Sequence, residues 1–381
     1  MMLNKSLRFF LLLLFTQLLM ACSGNPEKPT EYIFYPPPPN APKIQYLTSF
    51  SGPDDLIEDK SAFGDFILGA DAQGSPGVKK TYGVSIKDGI IYLVDIRGAG
   101  FATFDLKQKK FDVVQGNFDS RMEKPINIFV DDENNKYVTD IKRKVVIVFD
   151  KNNQFVRTIG NDEDLKPSDV LVVDERVFVS DINHNVIQVY NKNNGEKLYT
   201  IGENKNENTE GRLYIPTNMA LSPDKHLYVS ATMNFNIQEF TLEGEFIRSI
   251  GDVGVKFGNF TRPKGINIDR DGNIYVVDAS FQNVQVFNKA GELLMFFGEQ
   301  GGRPHHINLP AKVFIDYDNI TYFQKFAKPG FIIDHLILVT NQFGRSKLNV
   351  FGLGHMQDAK ENSEKPIASE PAPIKSDAIN Q

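Results

Sequence analysis

The stretch that decides the fold is residues 263–298, which read PKGINIDRDGNIYVVDASFQNVQVFNKAGELLMFFG. Apolar and polar residues alternate there in short runs, and Asp271-Gly272 and Ala290-Gly291 separate two pairs of those runs. Alternation at period two predicts strands, and Asp-Gly and Ala-Gly pairs are typical of the turns that join antiparallel strands. The stretch therefore predicts a four-stranded antiparallel meander, which must pack against neighbours to bury both of its faces.

The same pattern recurs along the chain, and a proline marks where each copy begins. The anchor residues are Thr81, Pro125, Pro167, Pro216, Pro263 and Pro310, so the successive spacings are 44, 42, 49, 47 and 47 residues. A repeat of this length with four strands in each copy is typical of the blades of a β-propeller. The sequence predicts an all-β fold, a six-bladed β-propeller with four-stranded antiparallel blades.

The sixth copy lacks a fourth strand, because the chain becomes polar soon after residues 348–351. The missing strand is predicted at the other end of the propeller, where residues 44–50 (IQYLTSF) resemble residues 246–251 (FIRSIG) of the fourth copy. An N-terminal strand in the last blade closes the ring and removes two exposed sheet edges. The propeller is therefore predicted to span residues 44–354.

The copies resemble the NHL repeat. Residues 263–298 contain its Pro-x-Gly-Ile-x-Ile-Asp, Gly-Asn-Ile-Tyr-Val-x-Asp, Val-Gln-Val-Phe and closing aromatic-Gly motifs, and the resemblance covers about residues 43–354. The layout is also similar to six-bladed propeller lipoproteins of Gram-negative bacteria. An aspartate ends the second strand of four copies, at Asp95, Asp140, Asp181 and Asp278. Because it recurs, it is predicted to bond turn backbone rather than to catalyse a reaction.

Residues 1–21 are predicted to be a lipoprotein signal peptide. Lys5 and Arg8 precede an apolar run, and residues 19–22 (Leu-Met-Ala-Cys) resemble a lipobox. The resemblance implies that Cys22, the single cysteine of the chain, carries palmitate and anchors the protein in the cell envelope. Ser23 follows it rather than Asp, which favours the outer membrane. An ordinary secretory signal with a chance cysteine is the alternative, and the side of the membrane that the body faces is left open.

We expect radioactive palmitate to label the wild-type chain and not the Cys22→Ala variant, because the thiol is the predicted attachment point. Equal labelling of both chains would contradict lipidation.

Composition narrows the classes of partner. The chain has a formal charge of −6, which becomes −8 when residues 1–21 and their two cations are removed. A net negative charge disfavours nucleic acid as a partner. Residues 22–43, the lipidated cysteine and a proline-rich stretch, are predicted to be a tether. Residues 355–381 are polar and are predicted to be disordered.

The loops of a propeller divide between its two faces. The loops between second and third strands share one face with the links between blades, of which 203–215, 252–262 and 299–309 are long. We call this the loop-rich face, and function is predicted there because variable loops on a rigid scaffold carry it. Its second-to-third loops offer a basic and aromatic set that suits a protein or an anionic ligand: Arg97, Lys142, Arg143, Lys144, His184, Met233, Phe235, Phe281, Phe343 and Arg345. The alternative is that these loop tips are simply solvated.

The sequence favours a non-catalytic scaffold, without a cofactor, that binds another envelope protein through the loop-rich face. The alternative is a metal-dependent hydrolase or lyase, since lactonases and amidating lyases of related architecture hold a metal with carboxylates or histidines from several blades. No histidine recurs at equivalent blade positions, so no metal site is predicted; the nearest candidates are His305 and His306. No catalytic residue is predicted either, because known hydrolase and phosphate-binding motifs do not occur.

Two segments interrupt the repeat. Residues 55–80 precede the first blade and contain a possible short helix at 62–68, and residues 319–334 are inserted in the sixth copy. Tyr322, Phe323 and Phe326 fall at helical spacing in the second insertion. Both segments are predicted to be lids packed on the propeller, with a mobile gate as the alternative.

Overall fold

A computed structural model describes residues 31–57, 77–160, 164–203 and 210–357. The chain divides into two compact units, Met1–Ile33 and Phe34–Gln381. The described residues of the first unit, 31–33, form no regular element, and all described strands belong to the second. The predicted signal peptide, Cys22, the helix at 62–68 and residues 358–381 lie outside the described ranges. Within those ranges, no helix has the length and apolar character needed to span a bilayer.

In the described ranges, twenty-five strands form six antiparallel sheets, one for each predicted copy. Blade 1 contains β3 (Thr81–Lys87), β4 (Ile90–Asp95), β5 (Gly100–Asp105) and β6 (Lys110–Val114), and blade 2 contains β7 (Pro125–Val130), β8 (Lys136–Asp140), β9 (Val145–Phe149) and β10 (Phe155–Ile159). Blade 3 contains β11 (Pro167–Val173), β12 (Arg176–Asp181), β13 (Val186–Asn191) and β14 (Lys197–Ile201), and blade 4 contains β15 (Pro216–Leu221), β16 (Leu227–Ala231), β17 (Asn236–Phe240) and β18 (Phe246–Ile250). Blade 5 contains β19 (Pro263–Ile268), β20 (Ile274–Asp278), β21 (Asn283–Phe287) and β22 (Leu293–Phe297).

Blade 6 closes the ring with strands from both ends of the propeller. It contains β23 (Pro310–Asp316), β24 (Phe331–Asn341) and β25 (Leu348–Met356), followed by β2 (Ile44–Phe50) and β1 (Phe34–Tyr35). β2 pairs antiparallel with β25, from Ile44 opposite Leu353 to Phe50 opposite Leu348. The predicted six-bladed propeller and its N-terminal closing strand are confirmed. Two details differ: β1 adds a fifth strand inside the predicted tether, and β25 runs on to Met356.

The apolar core lies between adjacent blades rather than at the centre of the ring. Phe101 of blade 1 packs on Phe149 of blade 2 with ring centroids 5.8 Å apart, and Phe297 of blade 5 packs on Phe351 of blade 6 at 5.1 Å. Each sheet therefore buries both faces against its neighbours, as the alternating sequence requires. The space on the propeller axis is left to the innermost strands, which are the first strand of each blade.

The recurring aspartates bond backbone, as predicted. Both carboxylate oxygens of Asp140 accept hydrogen bonds from backbone N–H groups, at 2.6 Å from Glu123 and 3.0 Å from Lys142 and Arg143. These hydrogen bonds connect the link that precedes blade 2 with the loop that follows its second strand. In blade 6, Oδ1 of Asn341 does the same with the N–H of Asn308 at 3.0 Å. These acids therefore hold the loop-rich face together.

The insertion in blade 6 forms two 3₁₀ helices, Ile320–Tyr322 and Gln324–Phe326, instead of one continuous helix. Phe323 is buried against Phe50, and Oδ1 of Asn319 accepts a hydrogen bond from the N–H of Gly89 at 2.7 Å. Gly89 lies in the turn between β3 and β4, so the insertion packs on the face opposite the loop-rich face.

Candidate functional site

The centre of the propeller is lined by one equivalent residue from each blade. Each lies two positions after the anchor residue of its first strand, and the six are Gly83, Asn127, Asp169, Asn218, Gly265 and Lys312. We call them the axial layer. The four polar side chains are all buried, with Lys312 the most exposed at 6 %. Buried polar side chains at four of the six equivalent positions, with glycine at the other two, set this layer apart from the apolar cores between the blades.

An ion pair spans the axis. Nζ of Lys312 in blade 6 lies 2.8 Å from Oδ2 of Asp169 in blade 3, and these blades stand opposite each other in the ring. Asp169 also accepts hydrogen bonds from the N–H groups of Val170 at 3.0 Å and Met219 at 2.8 Å. Burial raises the pKa of the Asp169 carboxyl, and the Lys312 ammonium and the two N–H groups oppose that rise.

The two asparagines of the axial layer leave one donor without a partner. Oδ1 of Asn127 accepts the N–H of Ile128 at 3.3 Å, which fixes the orientation of the Asn127 amide. Its Nδ2 then donates to Oδ1 of Asn218 at 3.1 Å. Nδ2 of Asn218 is consequently left unpaired, as the described residues provide no acceptor for it. A buried amide donor without an acceptor is costly, so this atom is suited to an oxygen of a ligand.

Two glycines make room for this arrangement. A Cβ at Gly83 would lie 2.3 Å from Oδ1 of Asn127, and a Cβ at Gly265 would lie 2.6 Å from Cα of Lys312. No side chain fits at either position, because backbone atoms are also too close: Cα of Asn127 would lie 2.6 Å from a Cβ at Gly83, and the N of Val313 would lie 2.7 Å from one at Gly265. The first strands of blades 2 and 6 can therefore approach their neighbours closely.

The next layer towards the loop-rich face partly covers the ion pair. Tyr82, Ile126 and Ala311, from blades 1, 2 and 6, pack together one residue before the axial layer. Nζ of Lys264 in blade 5 lies 5.0 Å from the centroid of the Tyr82 ring, within the range of a cation–π contact. Lys264, a half-buried residue of the first strand of blade 5, therefore contacts this layer from a fourth blade.

The structure places the predicted binding residues in the second-to-third loops, as expected, but it does not gather them into one site. Arg97, Lys142, His184, Phe343 and Arg345 are exposed, and Arg143, Phe235 and Phe281 are half-buried. They are distributed around all six blades. Their role in binding stays a prediction.

Lys142 and Arg143 border a cleft of 920 Å³ between blades 1 and 2. Arg121 and Phe118 also line this cleft. Phe118 is 98 % exposed, and it lies in the 3₁₀ helix Phe118–Ser120 of the link between the blades. Nη1 of Arg143 donates to the carbonyl of Arg121 at 3.1 Å, and Lys142 pairs with Glu123 at 2.6 Å. Phe118 and Arg121 were not predicted, because they lie in the shorter link between blades 1 and 2 and not in a second-to-third loop.

The histidine pair lies beside an acid, away from the axis. Possible ligand atoms of Glu299, His305 and His306 lie within 4.8 Å of one another. Nδ1 of His306 accepts the N–H of Arg303 at 2.9 Å, so a neutral ring carries its proton on Nε2, which faces Glu299 at 3.6 Å. That nitrogen then has no lone pair for a metal. The geometry favours a contact between this N–H and the Glu299 carboxylate, and His305 and His306 stay untested candidates for metal ligands.

The axial layer was not predicted, although one position of the repeat has an unusual composition. The third position of the anchor motif is glycine in two copies and a buried polar residue in the other four, whereas the surrounding strand positions are mostly apolar. The identities of these residues were visible, but their meeting on the axis was not.

The fold and the axial layer together define a class: six-bladed β-propellers whose polar centre is built from the first strand of every blade. Residues 83–297, more than half of the chain, match the model of the family described as SMP-30/Gluconolactonase/LRE-like region. The chain belongs to this family. The matched residues run from the first strand of blade 1 to the end of blade 5.

Several solved structures share the fold. A streptogramin B lyase is 13 % identical with a TM-score of 0.52, and the match covers 74 % of this chain and 95 % of the lyase. A gluconolactonase from Xanthomonas campestris is 16 % identical with a TM-score of 0.53, covering 72 % of this chain and 86 % of the other. A calcium-binding regucalcin from Agrobacterium tumefaciens is 13 % identical with a TM-score of 0.51, covering 74 % and 92 %. No curated protein matches the chain in sequence.

The axial layer does not fit a divalent cation such as the calcium that the regucalcin is described as binding. A divalent cation needs free oxygens and negative charge. Here the single carboxylate, Asp169, is neutralised by Lys312, and both amide oxygens already accept hydrogen bonds. The unpaired atom, Nδ2 of Asn218, is a donor. The axis is therefore suited to binding an acceptor oxygen rather than a metal.

Proposed function

We propose that the protein is a hydrolase or lyase that acts on a small molecule at the propeller axis. Membership of the family and the similar folds of a streptogramin B lyase and a gluconolactonase support the class. The observation that carries the proposal is the buried ion pair of Asp169 and Lys312 beside an unpaired donor. A buried ion pair is often no more stabilising than apolar residues of the same volume, so packing alone gives no reason for it.

These residues supply the groups that hydrolysis of a lactone requires. Asp169 accepts a proton from the water that attacks the carbonyl carbon, and Lys312 and Nδ2 of Asn218 donate hydrogen bonds to the oxyanion. The ring C–O bond then breaks, and the leaving alkoxide takes the proton from Asp169. Because burial raises the pKa of Asp169, its carboxylate is a stronger base than an exposed one.

The same groups serve an elimination. Asp169 takes the proton from a carbon next to a carbonyl group, while Lys312 and Asn218 stabilise the enolate oxygen. The electron pair forms a C=C bond as the C–O bond to the leaving oxygen breaks, and that oxygen receives the proton. In both reactions the substrate oxygen replaces Asp169 as the partner of Lys312. In this proposal the substrate approaches from the loop-rich face, where Lys264 contacts the Tyr82 ring.

Turnover should depend on Asp169. With D-glucono-1,5-lactone as the hydrolysis probe and quinupristin as the elimination probe, we expect Asp169→Asn to lower kcat/KM at least about 100-fold, because the amide cannot accept the proton. The matched control is Asp174→Asn, an exposed acid of the same blade, which should retain wild-type turnover. Hydrolysis is followed by acid release and elimination by absorbance. If Asp169→Asn and Asp174→Asn have equal rates, or the wild type turns over neither probe, the proposal is wrong.

A second candidate, a scaffold that binds another envelope protein, is favoured by Phe118. A phenylalanine exposed by 98 % beside Arg121 and Arg143 has the composition of a binding hot spot. On this proposal, lipid at Cys22 anchors the propeller to the outer membrane, and the partner covers the cleft between blades 1 and 2. Phe343, exposed by 51 %, extends the same face in blade 6.

Partner capture should then weaken without loss of stability. Replacing Arg143, Phe343 and Arg345 together by alanine should lower capture in a cross-linking pull-down from membranes by about tenfold or more, which corresponds to ~1.4 kcal/mol. The free energy of unfolding should change by less than about 0.5 kcal/mol for each of Phe343 and Arg345, which are exposed. Lys151→Ala, on an exposed turn of the opposite face, is the control and should capture like the wild type. Unchanged capture by the folded triple variant would place the partner elsewhere.

A further inference from the structure

We propose that the Lys312 ammonium is a built-in replacement for an axial metal ion, so that the site works with an internal cation and takes an acceptor oxygen as its ligand. The inference rests on the axial site proposed above and names the group that provides its positive charge. Nζ of Lys312 lies 2.8 Å from Oδ2 of Asp169, so the ion pair joins blades on opposite sides of the ring.

The charges of the axial layer balance without an ion. Asp169 and Lys312 are the two ionisable residues among the six, and the side chains of both are more than nine-tenths buried. One carboxylate and one ammonium leave no net charge to attract a divalent cation into a site of low dielectric constant. A bound divalent ion would place three positive charges beside a single carboxylate.

The hydrogen bonds of the layer also engage each of its side-chain oxygens at least once. Oδ1 of Asp169 accepts the N–H of Val170, and Oδ2 accepts both Lys312 and the N–H of Met219. The amide oxygens of Asn127 and Asn218 each accept one hydrogen bond as well. What remains is the unpaired Nδ2 of Asn218, a donor that is buried at the axis.

Sterically, the backbone beside Lys312 accommodates it. Position 265 must be glycine, because a Cβ there would lie 2.6 Å from the Lys312 Cα and 2.7 Å from the N of Val313. Glycine at this position lets β23 approach β19 at the point where the lysine leaves the strand. Because position 265 is glycine, blade 5 contributes no side chain to the axial layer that could bind a metal.

Removing the ammonium should uncover a cation site. In Lys312→Met the carboxylate of Asp169 loses its counter-charge and one of its donors. The amide oxygens of Asn127 and Asn218 each accept a single hydrogen bond, so each keeps a lone pair of the kind that suits Ca²⁺ and Mn²⁺. We expect Lys312→Met to bind about one Ca²⁺ per chain in calorimetry and to show a higher Tm with excess CaCl₂ than with EDTA. Mn²⁺ should bind at the same site, as judged by electron paramagnetic resonance.

Two variants and the wild type serve as controls. Lys312→Arg keeps a cation on the axis, and the double variant Asp169→Asn with Lys312→Met removes the carboxylate, so neither should bind Ca²⁺ or Mn²⁺. The wild type should not bind Ca²⁺ or Mn²⁺ at the axis, so Asp169→Asn should leave any ion binding by the wild type unchanged. Binding by the wild type that is lost in Asp169→Asn would overturn the inference. So would a Lys312→Met chain that binds no ion, or one that fails to fold even with excess CaCl₂, because the metal should replace the lost charge.

These titrations need no substrate, so they are separate from the turnover assay. If the wild type turns over neither probe yet Lys312→Met gains an ion, the enzyme proposal fails and the inference stands. If turnover requires Asp169 but the wild type binds an axial metal, the inference fails and the enzyme proposal stands.

Discussion

A chain that begins near Lys60 should not fold into a cooperative propeller. It lacks β2, whose Ile44, Leu47 and Phe50 are buried in blade 6 and against blade 1. Fully burying a side chain of this size contributes about 1.5–3 kcal/mol, so the three together are comparable with the ~5–15 kcal/mol by which a typical native protein is stable. The shortened chain also leaves the edge of β25 unpaired, which invites aggregation.

The measurement is a comparison of thermal melts by circular dichroism. A chain that begins at Ser23 keeps β1 and β2 and should melt in one sharp transition, whereas the chain from Lys60 should show none or aggregate. Matching melts of the two chains would show that β2 does not close the ring.

Breaking the axial ion pair should lower the free energy of unfolding far more than breaking an ion pair on the surface. Lys312→Met leaves the buried carboxylate of Asp169 without its counter-charge, and losing one partner of a buried pair typically costs about 3–5 kcal/mol. Lys289→Met is the control, since Lys289 pairs with Asp224 at 2.9 Å in a largely exposed position, where about 1 kcal/mol or less is expected. Urea unfolding in EDTA measures both changes without interference from added ions.

A double-mutant cycle separates the pair from its surroundings. Asp169→Leu together with Lys312→Met removes both charges, so it should be less destabilised than the sum of the two single variants. If the single Lys312→Met chain unfolds like the wild type in EDTA, or the two changes simply add, Asp169 and Lys312 do not form a buried pair.

The blade pattern was readable from sequence because its causes are local. Alternating residues and Asp-Gly turns specify each meander, and the spacing of the anchor prolines counts the copies. The recurring acid at Asp140 and its equivalents could be assigned to backbone bonding because repetition itself argues against catalysis. The closing strand was recognised because residues 44–50 repeat a strand type that the sixth copy lacks.

The insertion in blade 6 was readable only in part. The spacing of Tyr322, Phe323 and Phe326 predicts a helix, but the segment forms two short 3₁₀ helices and buries Phe323 against Phe50. Which face it covers depends on where its ends leave β23 and re-enter β24, and no local pattern encodes that.

By itself, then, the sequence determined the number of blades, their strands and the strand that closes them, because period, alternation and turn residues act over a few neighbouring positions. Only the tertiary structure decided where the candidate site lies. Asp169 and Lys312 are 143 residues apart, and they meet because closing six blades into a ring brings blades 3 and 6 to opposite sides of one axis. The unpaired donor of Asn218 arises in the same way, since its partner Asn127 comes from a blade that is not its neighbour. Contacts of this kind depend on ring closure, which no stretch of sequence contains.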